Sequence, residues 1–154
     1  MMRRFIIYIM LSVGIAVSAA AQWTQDIFPG YERITINHPD DYSGKVVSTV
    51  VRAPEGDCGG DTGILYVHGF NDYFFQKEWA DSMSRQCLRF YAVDLRKYGR
   101  SLLQGQEPFE VRDMQEYFAD IDSALAVMKR DGIDKVVLVG HSTGGLTTSL
   151  YMSE

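Results

Sequence analysis

Val136-Val137-Leu138-Val139-Gly140-His141-Ser142-Thr143-Gly144-Gly145 sets four apolar residues directly against a G-x-S-x-G pattern. Three of the four are β-branched, and such a run reads as a strand buried on both faces. Asp134-Lys135 before it form a turn, and residues 146–152 after it can continue as a helix. A strand that passes through G-x-S-x-G into a helix presents its serine on a sharp, strained turn, as a nucleophile requires. Gly140 and Gly144 suit that turn, because a Cβ at either would crowd the neighbouring strand and helix. With 14 Gly in 154 residues, a bare match arises by chance about 0.1 times per chain. The flanking strand and helix therefore carry the reading, against the alternative of an ordinary Gly-rich strand–helix turn.

Upstream, the same grammar repeats. Residues 31–37 and 45–52 read as antiparallel strands joined by the turn-rich His38-Pro39-Asp40-Asp41-Tyr42-Ser43-Gly44. A loop over 54–61 leads to Gly63-Ile64-Leu65-Tyr66-Val67, a buried strand ending in His68-Gly69-Phe70. Asn71 or Asp72 can cap a helix whose Phe75, Trp79 and Met83 recur every fourth residue. Leu88-Arg89-Phe90-Tyr91-Ala92-Val93 is the next strand, ending at Asp94. After Pro108, Met114, Tyr117, Phe118, Ile121, Leu125 and Met128 fall on one helical face, with the acids and Arg112 elsewhere, and Gly132 ends the helix. Strands alternating with helices predict an α/β fold with a mostly parallel sheet.

Ligand sites in such sheets gather at the carboxyl ends of the strands. Three of those ends carry distinctive residues: His68-Gly69-Phe70-Asn71, Asp94-Leu95-Arg96-Lys97-Tyr98-Gly99-Arg100-Ser101, and Gly140-His141-Ser142-Thr143-Gly144. With these in this order the chain resembles the α/β-hydrolase superfamily. The nearest group is that called serine aminopeptidase S33 or Hydrolase 4, which includes monoacylglycerol-lipase-like lysophospholipases. The resemblance covers about residues 31–154, the N-terminal half of that fold.

The resemblance implies an α/β-hydrolase fold truncated after the elbow helix, with Ser142 as nucleophile. It also implies backbone N–H groups of Phe70 and Thr143 as the oxyanion hole for an ester or amide carbonyl. Serine at this position argues against dehalogenases and epoxide hydrolases of the same fold, which use aspartate there. The second motif resembles D-x-R-G-x-G-x-S with Lys97 in place of the first glycine; by that resemblance Asp94 and Arg96 can pair or hydrogen-bond to hold that turn. Phe70, Tyr73, Phe74 and Phe75 can line an acyl pocket or pack beneath a lid. His68 is expected to shape the oxyanion loop, His141 to point away from Ser142, and His38 to lie in a remote turn. None is a convincing triad base. In this superfamily the acid and the histidine follow the serine, and only 12 residues follow Ser142 here.

Residues 1–21 read as a secretory signal peptide. Arg3-Arg4 precede an apolar stretch over 5–17 and the small residues Ser18-Ala19-Ala20-Ala21, with cleavage expected before Gln22. The chain is then secreted or periplasmic, touching a membrane only transiently through that leader or a lipid substrate. Residues 22–154 keep 13 Lys+Arg against 20 Asp+Glu, an acidic balance without a basic stripe that argues against nucleic acid. Cys58 and Cys87 both fall at the edge of the sheet opposite the site. A disulfide is expected in an oxidising compartment, two buried thiols being the alternative. No cofactor or metal is expected. Two functions compete: an exported serine hydrolase acting on small-molecule esters, acylglycerols or peptides, and a non-catalytic truncated form or pseudoenzyme that at most binds apolar ligands.

Overall fold

The computed structural model describes residues 22–56 and 59–154. The expected leader and Cys58 lie outside the described residues. The elements run β1 (Thr24–Gln25), β2 (Glu32–Asp41), β3 (Gly44–Arg52), β4 (Thr62–Val67), α1 (Lys77–Ser84), β5 (Arg89–Asp94), α2 (Phe118–Arg130), β6 (Lys135–Gly140) and α3 (Thr143–Tyr151). The strands form one sheet in the order β1-β2-β3-β5-β4-β6. The β1–β2–β3–β5 pairs are antiparallel, and β5–β4–β6 are parallel. This is a mixed α/β sheet, and β6 carries the elbow at its end.

Period-2 alternation builds the two faces. Leu65, Val67, Tyr91 and Val93 point to one side, where Ile121, Ala124 and Met128 of α2 meet them. Ile64, Tyr66, Phe90 and Ala92 point to the other, where Ala80 of α1 and Phe74 close the core. Completely buried Val, Leu, Ile and Phe side chains each contribute roughly 1.5–3 kcal/mol relative to exposure, so the central strands β4 and β5 anchor the domain.

Several boundaries differ from the sequence expectation, each for a physical reason. β2 runs on through His38-Pro39-Asp40 to Asp41, with a bulge between His38 and Asp41, so the turn is only Tyr42-Ser43. His38 thus lies in a strand, its Nε2 2.7 Å from Ser48 Oγ and 3.3 Å from Asp120 Oδ1. α1 begins at Lys77, because residues 71–76 stay irregular: Asn71 takes φ 52, and the Phe74 N–H donates to Asp94 at 2.9 Å. Neither Asn71 nor Asp72 caps the helix. Asp120 breaks the rule that acids face away from the core in α2, being fully buried against Arg96. β6 is not buried on both faces. Val136 and Val137 are 39% and 50% exposed, since among the described residues β6 pairs only with β4. Cys87 is disulfide-bonded, with a left-handed backbone at φ 65.

The β2–β3 tip is fastened to the loop that follows β5. Lys97 Nζ lies 2.9 Å from Asp41 Oδ2, and the Tyr42 ring sits between Lys97 (4.5 Å) and Arg112 (3.7 Å). Burial would raise the Asp41 carboxyl, but the Lys97 and Ser43 donors outweigh it and hold it at about 2. A carboxyl depressed below its ordinary range stabilises the fold above that range and loses the contribution as pH falls through its folded value. Between pH 5 and 2 the melting temperature of the wild type is therefore expected to fall further than that of Asp41→Asn. Equal slopes would show that the tip is not acid-sensitive.

Candidate active site

The elbow is built from backbone constraint. Ser142 has φ 53 and ψ −122, a conformation sparsely populated by residues with a side chain and costing roughly 1–3 kcal/mol. The surroundings hold it there. His141 N donates to Val67 O at 3.0 Å, and Gly144 N and Gly145 N return to His141 O and Ser142 O at 2.8 and 2.9 Å. A Cβ on Gly144 would collide with the carbonyl oxygens of Val67 and His68, and one on Gly140 would lie 2.6 Å from Gly145 Cα. These glycines let the elbow close onto β4.

Serine is a favoured helix N-cap because its hydroxyl accepts from the first turn. Ser142 occupies that position at α3 but makes no side-chain cap bond, and the residue is exposed. Its hydroxyl is left available at the positive end of a helix. The oxyanion-loop candidate sits alongside: a Cβ on Gly69 would lie 2.9 Å from Ser142 Cβ. Among the described residues neither the Phe70 nor the Thr143 N–H donates to a protein acceptor. Three expected site residues, Phe70, Ser142 and Thr143, are therefore gathered at adjoining loops at the C-terminal ends of β4 and β6.

The histidines are placed with different jobs. His68 is 1% exposed, and the Leu95 N–H donates to its Nε2 at 3.1 Å. That nitrogen must hold the lone pair, so Nδ1 carries the proton and donates to Gly69 O at 2.8 Å. Burial holds its pKa below the ordinary value, overriding the nearby acids. His68 is thus a neutral brace that fixes the carbonyl of the residue preceding Phe70. His141 is turned toward Asp72, Nδ1 to Oδ2 at 3.5 Å, with its side chain 63% exposed. His38 is engaged with Ser48 and Asp120, on a strand separated from β6 by three others in the sheet.

Of the two ways expected to hold the Asp94–Ser101 loop, the structure shows hydrogen bonding and not a direct pair. Asp94 does not pair with Arg96. It binds Arg100 Nη1 at 2.9 Å and accepts from the Arg100 and Phe74 amides, while Arg100 reaches Asp26 through Nε (2.7 Å) and Nη2 (2.9 Å). Arg96 turns the other way, to Asp120 on α2. Lys97 keeps the glycine-like backbone of the motif, at φ 62. The aromatic group also divides. Phe74 is fully buried in the core, whereas Phe70, Tyr73 and Phe75 are exposed. Reading the sequence passed over Phe109, which packs on Phe70 with ring centroids 5.2 Å apart. Its distance in sequence from every motif left no signal.

Comparison with known proteins settles the family. The family described as serine aminopeptidase, S33 (Hydrolase 4) matches residues 61–154, which include the oxyanion-loop candidate, the Asp94–Ser101 loop and the Gly140–Gly144 turn. The chain belongs to the S33 serine aminopeptidase family. Solved structures agree on the fold. A Vigna radiata epoxide hydrolase variant is 20% identical with a TM-score of 0.54, covering 77% of this chain and 34% of that one. A lipase candidate from Sulfolobus solfataricus is 16% identical with a TM-score of 0.59, covering 88% and 46%. A hydrolytic-enzyme candidate from Pseudomonas aeruginosa is 20% identical with a TM-score of 0.57, covering 77% and 36%. The S33 chain has the α/β-hydrolase fold and spans about a third to under half of the length of these relatives. No helix among its described residues is long and apolar enough to cross a membrane.

Proposed function

We propose that this chain carries the nucleophile and oxyanion half of an exported serine hydrolase that cleaves carboxylic esters or acylglycerols, with peptides as a second substrate class. The observation that carries the reading is the strained, exposed Ser142, uncapped and set beside two unengaged amides. In this reading Ser142 Oγ attacks the acyl carbon and passes its proton to a general base. The carbonyl oxygen becomes an oxyanion that accepts from the Phe70 and Thr143 N–H groups, and collapse of the intermediate expels the alcohol or amine. Water then releases the acid from the acyl-enzyme. Each oxyanion donor in such a site is worth on the order of 10²–10³ in kcat.

His68 has both ring nitrogens committed and His38 is bound elsewhere. His141 is turned to Asp72, so no described histidine is assigned as the base. The same observation favours a second reading, in which the product is non-catalytic and at most binds apolar ligands. A fluorophosphonate probe on the complete protein separates the two. Labelling of the wild type that disappears in Ser142→Ala, with kcat down by on the order of 10⁴ or more, supports the hydrolase. An intact wild type that takes no label defeats it.

A further inference from the structure

We infer that Phe109, with Phe70, forms a wall of the Ser142 site that binds an aliphatic chain of the substrate, and that Lys97 is the positioning residue that holds it there. This rests on the serine hydrolase reading. The Phe70 amide is the candidate oxyanion donor, yet its side chain is 64% exposed. One part of that ring is met edge-on by Phe109, at 5.2 Å and 61°, and Phe109 in turn packs on Tyr98 at 4.8 Å. An apolar surface therefore continues from the oxyanion loop onto the loop after β5, with much of the Phe70 ring open to solvent. Exposed aromatic surface beside a reactive group marks a site for apolar ligands.

The placement of Phe109 is imposed rather than incidental. Phe109 has φ 65, a left-handed backbone that an aromatic residue rarely adopts, and its N–H donates to Lys97 O at 3.1 Å. Lys97 is itself left-handed at φ 62. Its ammonium is fully buried against Asp41 (2.9 Å) and Glu110 (3.7 Å), the latter adjoining Phe109. Tyr42 adds a hydroxyl bond to Glu110 O at 3.3 Å, and Gln106 Nε2 donates to Lys45 O at 2.7 Å. Lysine replaces a motif glycine that would have given the backbone path alone. What the lysine adds is a cation that ties the loop carrying Phe109 to the β2–β3 tip. A wall of this kind distinguishes a medium-chain ester from an acetate, which is too short to reach it.

The test compares p-nitrophenyl octanoate with p-nitrophenyl acetate in the complete protein. Phe109→Ala is expected to lower kcat/KM for octanoate about tenfold or more, mainly through KM, and for acetate by less than about threefold. Phe109→Leu should restore most of the octanoate activity. Lys97→Gly, which suits the left-handed backbone, should lose the same selectivity in part. Equal losses on both esters in Phe109→Ala would overturn the wall and leave a merely structural residue. A second measurement needs no turnover: calorimetric binding of sodium octanoate to Ser142→Ala protein, with and without Phe109→Ala. At least fivefold weaker binding in the double variant supports the wall; equal binding, or no binding to either, overturns it. If Ser142→Ala keeps wild-type turnover, the nucleophile assignment fails while the octanoate comparison still decides the wall.

Discussion

Gly144→Ala is expected to destabilise the complete protein by roughly 3 kcal/mol or more, although Ala is the better helix former by about 1 kcal/mol. The two effects oppose each other, and geometry decides between them. An alanine Cβ at 144 runs into two backbone carbonyl oxygens, those of Val67 and His68, which cannot swing aside as a side chain would. Either α3 lifts or the end of β4 retreats, and both movements separate the Thr143 amide from the Phe70 amide. Urea unfolding should show a lower midpoint with an unchanged slope, and fluorophosphonate labelling of the folded variant should slow by on the order of 10². Gly145→Ala is the control, because its Cβ would meet nothing closer than Gly140 O at 3.5 Å. It should be neutral or slightly stabilising. A Gly144→Ala protein as stable and as reactive as the wild type would mean that the close contact with β4 does not set the elbow.

This contact also shows why the backbone of the candidate elbow could be read from residues alone. Glycines on both sides of a serine, fed by a β-branched run, leave few backbone paths, and the structure follows one of them. The strand faces and the α2 face were legible in the same way, through period-2 and period-3.6 apolar patterns that the core clusters reproduce, whereas Phe75 of the expected α1 face lies outside that helix and is exposed. What escaped was decided by partners distant in sequence. Asp120 looks like a solvent-facing acid until Arg96 is brought to it from the end of β5. His38-Pro39-Asp40 looks like a turn, but the β3 ladder extends through it with a bulge. Phe74 was grouped with the other aromatics of its loop, yet the Asp94 carboxylate pins its amide and turns the ring into the core. Lys97 could be seen to replace a glycine, but not that Asp41 and Glu110 would hold a buried lysine in the glycine conformation.

The second large effect is expected from Asp120→Ala. Asp120 is fully buried near the start of α2, and its carboxylate accepts the Arg96 amide at 2.9 Å, Nη2 at 2.9 Å and Nε at 3.2 Å, with His38 Nε2 at 3.3 Å. Removing it leaves the Arg96 guanidinium, only 8% exposed, without its carboxylate in a medium that cannot solvate it. Breaking a buried pair from one side costs about 3–5 kcal/mol. An exposed pair such as Lys135–Asp61, with side chains 72% and 54% exposed, is screened by solvent and contributes far less. Urea midpoints of Asp120→Ala, Asp120→Asn and Asp61→Asn in the complete protein should therefore fall in that order of severity, with Asn at 120 intermediate because it retains an acceptor. The loss should also reach the site, since Arg96 adjoins Leu95, whose N–H fixes the His68 tautomer beneath the oxyanion loop. If Asp120→Ala unfolds within about 1 kcal/mol of the wild type, water must reach Arg96, and the brace between α2 and the end of β5 is weaker than its burial implies.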